Sequence, residues 1–312
     1  MLDRTSVDWR GYIPAVTTPF DADGALDLDA FRVLLDWMLA EGMHGVAVAG
    51  TTGEWFSMTP AERCDLFRVA AEVLGGRITV LAGCSSFTPQ ESIGYARSAK
   101  EAGCDGILLT APPYVVPNDR ELVAFYEAVS DAVELPICVY NWPRGTGVDM
   151  SPDLLARLAA IDNVVAIKNS TGNQAAQLAT LFALSDRVRI FGVPANELGV
   201  LLVEHAGADG TIGAGAVLGS DHPDFFNHLW AGRRAEALAC GSRDRQFFES
   251  CWNPDFSPRF GSQFAILKAA LDLRGVPGGH VRPPLLPLTD EEHGRVRRVL
   301  EELGIPVAAT AG

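Results

Sequence analysis

Lys168 is one of only three lysines among the 25 basic residues of this chain. It closes an apolar run, Val164-Val165-Ala166-Ile167-Lys168. Burial disfavours the ammonium form, so an amine at the end of a buried strand has a depressed pKa. The same depression makes it nucleophilic near neutral pH, which imine formation with a carbonyl requires. The ordinary alternative is a strand-end lysine whose head snorkels to water. A second reactive group, Tyr140, ends another apolar run, Pro136–Tyr140. Side chains alternate faces along a strand, so Cys138 shares a face with Tyr140, and Val164 and Ala166 share one with Lys168. If the two runs are neighbouring strands, the phenol and the amine meet as a pair suited to proton transfer. A tyrosine in that position is also common packing.

The segment Gly50-Thr51-Thr52-Gly53-Glu54 places two hydroxyls between two glycines. Such a turn can aim N–H groups and hydroxyls at a carboxylate; an ordinary capped turn uses the same composition. Gly213-Ala214-Gly215-Ala216-Val217-Leu218-Gly219 has the wrong glycine spacing for a dinucleotide fingerprint and lies after the last strand candidate, so close backbone packing explains it better. The histidines do not cluster with carboxylates at ligand spacing, so no metal is expected. No G-x-S-x-G elbow is present, and no cofactor is implied.

These residues need a scaffold that brings several strand ends together. Short β-branched runs alternate with amphipathic segments along the chain. The runs are Tyr12–Thr18, Gly45–Ala49, Thr79–Gly83, Gly106–Thr110, Pro136–Tyr140, Val164–Lys168, Arg189–Gly192 and Gly210–Gly213. The helical segments between them are Leu28–Ala40, Pro60–Leu74, Pro89–Glu101, Arg120–Val133, Pro152–Ala160, Gln174–Leu184 and Asn196–His205. Thr59-Pro60 with Glu62, and Ser151-Pro152-Asp153, are helix starts; Gly42, Gly103 and Gly207 stand where left-handed caps end helices. Eight even βα units predict an α/β fold, a TIM (β/α)8 barrel over residues 11–239, in preference to an open doubly wound sheet. Four further helical segments follow, Pro223–Ala239, Arg243–Cys251, Phe264–Leu273 and Asp290–Leu303. The first completes the barrel; the others predict a C-terminal helical extension over residues 240–304.

The 312 residues, 48% hydrophobic, suffice for a large core, and the net charge of −14 opposes nucleic acid and anionic membrane as partners. An anionic metabolite would therefore need local donors. Six scattered cysteines with no C-x-x-C pair read as reduced thiols, and the first ten residues lack a signal-peptide core, so a cytoplasmic protein is expected. No run of about 18 apolar residues exists to span a membrane.

Taken together, Gly50-Thr51-Thr52-Gly53-Glu54, Tyr140-Asn141-Trp142-Pro143 with Thr146-Gly147, and Ala166-Ile167-Lys168-Asn169-Ser170-Thr171-Gly172 resemble three signatures of the dihydrodipicolinate synthase / N-acetylneuraminate lyase superfamily of class I aldolases and lyases. The resemblance runs from about residue 11 to about residue 300, with all three signatures in register. It implies that Lys168 forms an imine with C2 of pyruvate or another 2-oxoacid, that Tyr140 relays protons there, and that Thr51 links the relay. Thr52 would donate to the substrate carboxylate beside Gly50. Tyr114 aligns with a tyrosine contributed across a dimer interface, and Ile212 with an apolar residue near the imine. Family members are commonly homotetramers built as dimers of dimers.

Two departures bear on the substrate. The synthase pattern Y-N-x-P-x-R-T-G holds a second carboxylate with its arginine; here Arg144 sits one position early and Gly145 stands in its place. After the seventh strand, Gly192-Val193-Pro194-Ala195-Asn196 lacks the acidic residues with which neuraminate lyases grip a polyol. Arg144 and Gly192 complete the residues expected to touch substrate. The leading expectation is a Schiff-base aldolase acting at C3 of a 2-oxoacid. The alternatives are a dehydratase of a 2-keto-3-deoxy sugar acid working through the same imine, and a catalytically silent 2-oxoacid sensor. A dinucleotide-dependent oxidoreductase is more distant.

Overall fold

In a computed structural model describing residues 1–308, the β-branched runs form eight parallel strands closed in sequence order. The strands are β1 (Gly11–Ala15), β2 (Gly45–Val48), β3 (Thr79–Gly83), β4 (Gly106–Thr110), β5 (Ile137–Asn141), β6 (Val164–Asn169), β7 (Arg189–Phe191) and β8 (Gly210–Ala214). The barrel closes where β1 pairs with β8 from Gly11↔Gly210 to Ala15↔Ala214. At that seam a Cβ on Gly210 would collide with the Gly11 carbonyl, so glycine is the residue that permits closure.

The helices over the barrel are α1 (Leu28–Ala40), α2 (Pro60–Leu74), α3 (Pro89–Ala102), α4 (Asp119–Ala132), a single turn α5 (Pro143–Thr146), α6 (Pro152–Ala159), α7 (Gln174–Leu184), α8 (Glu197–His205) and α9 (Asp221–Trp230). The extension adds α10 (Arg234–Cys251), α11 (Gln263–Leu273) and α12 (Asp290–Glu302). Reciprocal capping boxes start α2 at Thr59/Glu62, α4 at Asn118/Glu121 and α12 at Thr289/Glu292, each satisfying two otherwise unpaired N–H groups. No helix among the described residues is long and apolar enough to cross a membrane.

Two apolar layers follow from the strand alternation. Outward side chains such as Val46, Val80, Ile107, Val139 and Ile167 pack against the helices. Inward ones, including Ile13, Ala47, Leu81, Leu108, Phe191 and Ile212, fill the barrel, with Trp9 packed among them.

Three local expectations are corrected. The first strand ends at Ala15, not Thr18, because Thr18 leaves the ladder and its Oγ1 donates to the Gly53 carbonyl at 2.8 Å. A bulge between β5 and β6 pairs Ile137 with Val164 but Cys138 with Ala166. Val164 therefore faces the helices while Val165 joins Ala166 inside, so Val164 does not share the Lys168 face. The inserted residue shifts the phase of Val164 and leaves Ala166 and Lys168 in the expected register with Cys138 and Tyr140. The break expected between residues 239 and 243 lies instead at Gly232, whose φ of 73° suits a left-handed turn, and α10 runs unbroken through 239 and 240.

The end of the barrel opposite the strand C-termini is tied by Asp209. Its Oδ1 meets Arg4 at 2.9 Å and Arg189 at 2.7 Å, and its Oδ2 accepts from the Ile190 N–H at 2.9 Å. Asp209→Ala leaves both guanidinium groups and a buried N–H without this acceptor. The variant should lose about 3–5 kcal/mol of stability, read as a lower midpoint in urea unfolding.

Candidate active site

Strands β5 and β6 each run one residue beyond the expected end, and Asn141 pairs with Asn169 there. The Asn141 Nδ2 donates to Asn169 Oδ1 at 3.0 Å and to Asp149 Oδ1 at 3.1 Å, while Thr171 Oγ1 donates to Asp149 Oδ2 at 2.9 Å. This polar clasp fixes the two strand ends against each other. One residue earlier, Tyr140 stands opposite Lys168, and the Lys168 Nζ lies 4.1 Å from the centre of the Tyr140 ring.

Lys168 is 7% exposed and Tyr140 is 5% exposed, so the head of Lys168 does not snorkel to water. Burial lowers the Lys168 pKa to about 8, opposed by the nearby Cys138 thiol. Relative to the ordinary 10.5, that shift raises the free-amine fraction at pH 7 by about 300-fold. Burial pushes Tyr140 the other way, above its ordinary value, opposed by hydrogen bonding to Ser170 and Thr51. Tyr140 therefore keeps its proton at neutral pH and can donate it. Cys138 lies in the same interior layer, pushed up to about 12 by burial, which leaves it a neutral thiol. Ile212 reaches this layer from β8.

The Gly50–Glu54 segment forms consecutive turns, with Gly53 N–H donating to Gly50 O at 3.1 Å and Glu54 N–H to Thr51 O at 3.0 Å. The intervening N–H groups of Thr51 and Thr52 meet no acceptor among the described residues, although Thr52 is buried. Donors left free inside a rigid turn make an anion site. The turn leaves little slack: Ala49 and Glu54 both have positive φ, and a Cβ on Gly83 would strike the Ala49 carbonyl.

Not every expected residue joins this cluster. Arg144 is exposed and donates to the Asp255 carbonyl at 2.9 Å, so it is tied to the loop after α10. Next to it, a Cβ on Gly145 would collide with the Trp142 indole, and that indole stacks on Tyr140 with centroids 6.0 Å apart. Trp142 thus takes the space over Gly145. Tyr114 is 91% exposed on the β4–α4 loop with φ 75°. Gly192 has φ 134°, and a Cβ there would come 2.6 Å from the Asn169 carbonyl.

Several residues at the site carried no signal in the sequence reading. Gln177 of α7 donates to the Gly192 carbonyl at 2.9 Å and the Asn169 carbonyl at 3.3 Å, bridging the ends of β6 and β7. Ser170 and Asp149 are short polar residues in loops, visible only once the strands are in register. Ser170 lies within the third signature, where its neighbours drew the attention.

The dihydrodipicolinate synthetase family profile matches residues 8–303. An uncharacterized DapA-like lyase of Rhizobium meliloti is 34% identical over 298 residues, 95% of this chain and 96% of that protein. A 4-hydroxy-tetrahydrodipicolinate synthase of Stenotrophomonas maltophilia is 37% identical over 288 residues, 91% of this chain and 92% of that one. Among solved structures, YagE of E. coli K12, a prophage protein of the dihydrodipicolinic acid synthase family in complex with pyruvate, superposes with a TM-score of 0.85. It is 26% identical, over 96% of this chain and 100% of that one.

With three lysines in the chain, protein labelled with 13C at lysine Cε should give three signals. The one lost in Lys168→Ala should titrate with a midpoint near 8, the ammonium dominating below it and the free amine above.

Proposed function

The chain belongs to the dihydrodipicolinate synthetase family, and from that premise we propose that it is a class I lyase forming a Lys168 imine with a pyruvate-type 2-oxoacid and making or breaking a carbon–carbon bond at C3. The observation that carries this reading is the buried Lys168 amine, 4.1 Å from the Tyr140 ring centre and depressed to a pKa of about 8. The free N–H groups of Thr51 and Thr52 support a carboxylate site on the neighbouring turn.

The amine lone pair attacks C2, and the former carbonyl oxygen, protonated by Tyr140, leaves as water to give the iminium ion. In the cleavage direction the C4 hydroxyl gives its proton to the Tyr140 phenolate left by that step, the C3–C4 electron pair moves toward the iminium nitrogen, and an aldehyde departs. The resulting enamine takes that proton from Tyr140 at C3, and hydrolysis returns Lys168 and pyruvate and restores the Tyr140 proton. Thr51, whose hydroxyl opposes the rise of the Tyr140 pKa, links the phenol to the rest of the relay, while Thr52 and the Gly50 backbone orient the carboxylate. Ile212 supplies an apolar contact for the imine.

The distal half of the substrate is proposed to be a neutral hydroxylated chain. Arg144 is engaged by Asp255 and the Trp142 indole covers Gly145, which weighs against a second carboxylate bound there, as in the synthases. Gly192, whose carbonyl accepts from Gln177, is proposed to border that chain. The exposed Tyr114, flanked by Val115 and Val116 at 61% and 56% exposure, fits a residue that enters a neighbouring copy in a homotetramer. Six free thiols fit a reducing cytoplasm.

A panel of 2-keto-3-deoxy acids tests the reaction by separating pyruvate release from water loss. Pyruvate release is the expected outcome. Loss of water without pyruvate would replace the aldolase by a dehydratase, and imine formation without turnover would indicate a silent sensor. Lys168→Ala should abolish turnover, and Tyr140→Phe should lower kcat by about 10²-fold or more.

A further inference from the structure

Glu54, the last residue of the carboxylate-binding turn, is fully buried, and its charge is met from outside the barrel. Its Oε1 is paired with the Nζ of Lys268 on α11, and its Oε2 accepts from the Arg282 N–H at 3.2 Å. Lys268 is itself 2% exposed; its Nζ also donates to the His280 carbonyl at 2.6 Å and lies 4.7 Å from the Phe20 ring centre. Arg282 stacks on the same ring at 3.9 Å, donates to the Gly24 carbonyl at 2.7 Å and the Ser57 carbonyl at 3.0 Å, and reaches Glu62 at 2.9 Å. Both ends of the loop from Glu54 to Glu62 are therefore held by residues that follow the barrel.

This arrangement is more than cover for a core. A buried ion pair is poor at raising stability compared with an apolar pair of the same volume, but it fixes geometry in two directions at once. Glu54 has φ 60°, a left-handed conformation that a non-glycine residue holds only when its surroundings impose it. The carboxylate that Lys268 grips thus sets the backbone on which the free Thr51 and Thr52 N–H groups are mounted.

We infer that the C-terminal extension is a working part of the carboxylate site, with Lys268 and Arg282 as positioning residues that act through Glu54 to aim the Thr51–Thr52 turn at the substrate. The inference rests on the proposed imine chemistry, since it assigns these residues to the affinity of that site for a 2-oxoacid. Neither residue touches substrate, so the predicted signature is a loss of affinity with the covalent step preserved.

The test measures the pyruvate dependence of borohydride trapping in the intact chain. Folded Lys268→Met should raise half-saturating pyruvate about tenfold or more, with the maximal trapping rate within about threefold of wild type. If the uncompensated Glu54 prevents that variant from folding, the neutral double variant Glu54→Gln/Lys268→Met decides, with the same expectation. A purely structural role would lower Tm and leave half-saturation unchanged; half-saturation within about twofold of wild type in a folded variant overturns the inference. Failure of the imine reading is separate, because it would appear as no trapping in the wild-type protein.

Discussion

A lysine ammonium held where water cannot solvate it is the constraint on which the rest of the site depends. Lys168 has no carboxylate beside it among the described residues; its near neighbours are the Tyr140 ring face and the Cys138 thiol. The ring face offers an attraction of about 0.5–2 kcal/mol, too little to offset the loss of hydration, and the pKa falls accordingly. A fold that carries such a cost at one point must over-determine its surroundings. The Asn141–Asn169–Asp149–Thr171 clasp does this immediately above the pair, and barrel closure does it from the sides.

The other end of the site is governed by an opposite solution to the same problem. Glu54 and Lys268 are both buried and pair with each other; burial lowers the Lys268 pKa too, but there the carboxylate opposes it. One buried amine has no carboxylate partner among the described residues and is the proposed nucleophile; the other is paired and is the proposed strut. The two lysines illustrate how local electrostatics, and not residue type, decides between chemistry and architecture.

Much of this was legible in the sequence. Lys168 stood out because lysine is rare in the chain and rarer in an apolar run, and strand alternation brought Tyr140 to its side once eight βα units implied a closed barrel. The bulge at Val165 was not legible, because an inserted residue leaves the apolar composition of β6 unchanged. It turned Val164 outward without disturbing Lys168, since from Ala166 onward the strand keeps the expected alternation. The break at Gly232 was missed because the apolar spacing on either side reads as one continuous helix. Lys268 and Arg282 were invisible for a different reason: their partner Glu54 is more than 200 positions away along the chain, and no local pattern marks a contact of that span. Tyr114 and Arg144 were placed by similarity of pattern alone, and within a single chain Tyr114 is exposed and Arg144 is tied to the Asp255 carbonyl.

The proposed chemistry requires the Lys168 amine itself to bond to the substrate carbon. Its most direct measurement is mass analysis of the Lys168 peptide after borohydride reduction in the presence of pyruvate. The expected result is the increment of one reduced pyruvate adduct on that peptide, none on the peptides containing Lys100 or Lys268, and none in Lys168→Ala. An unmodified Lys168 peptide from folded protein, at saturating pyruvate and at a pH above 8, would contradict it.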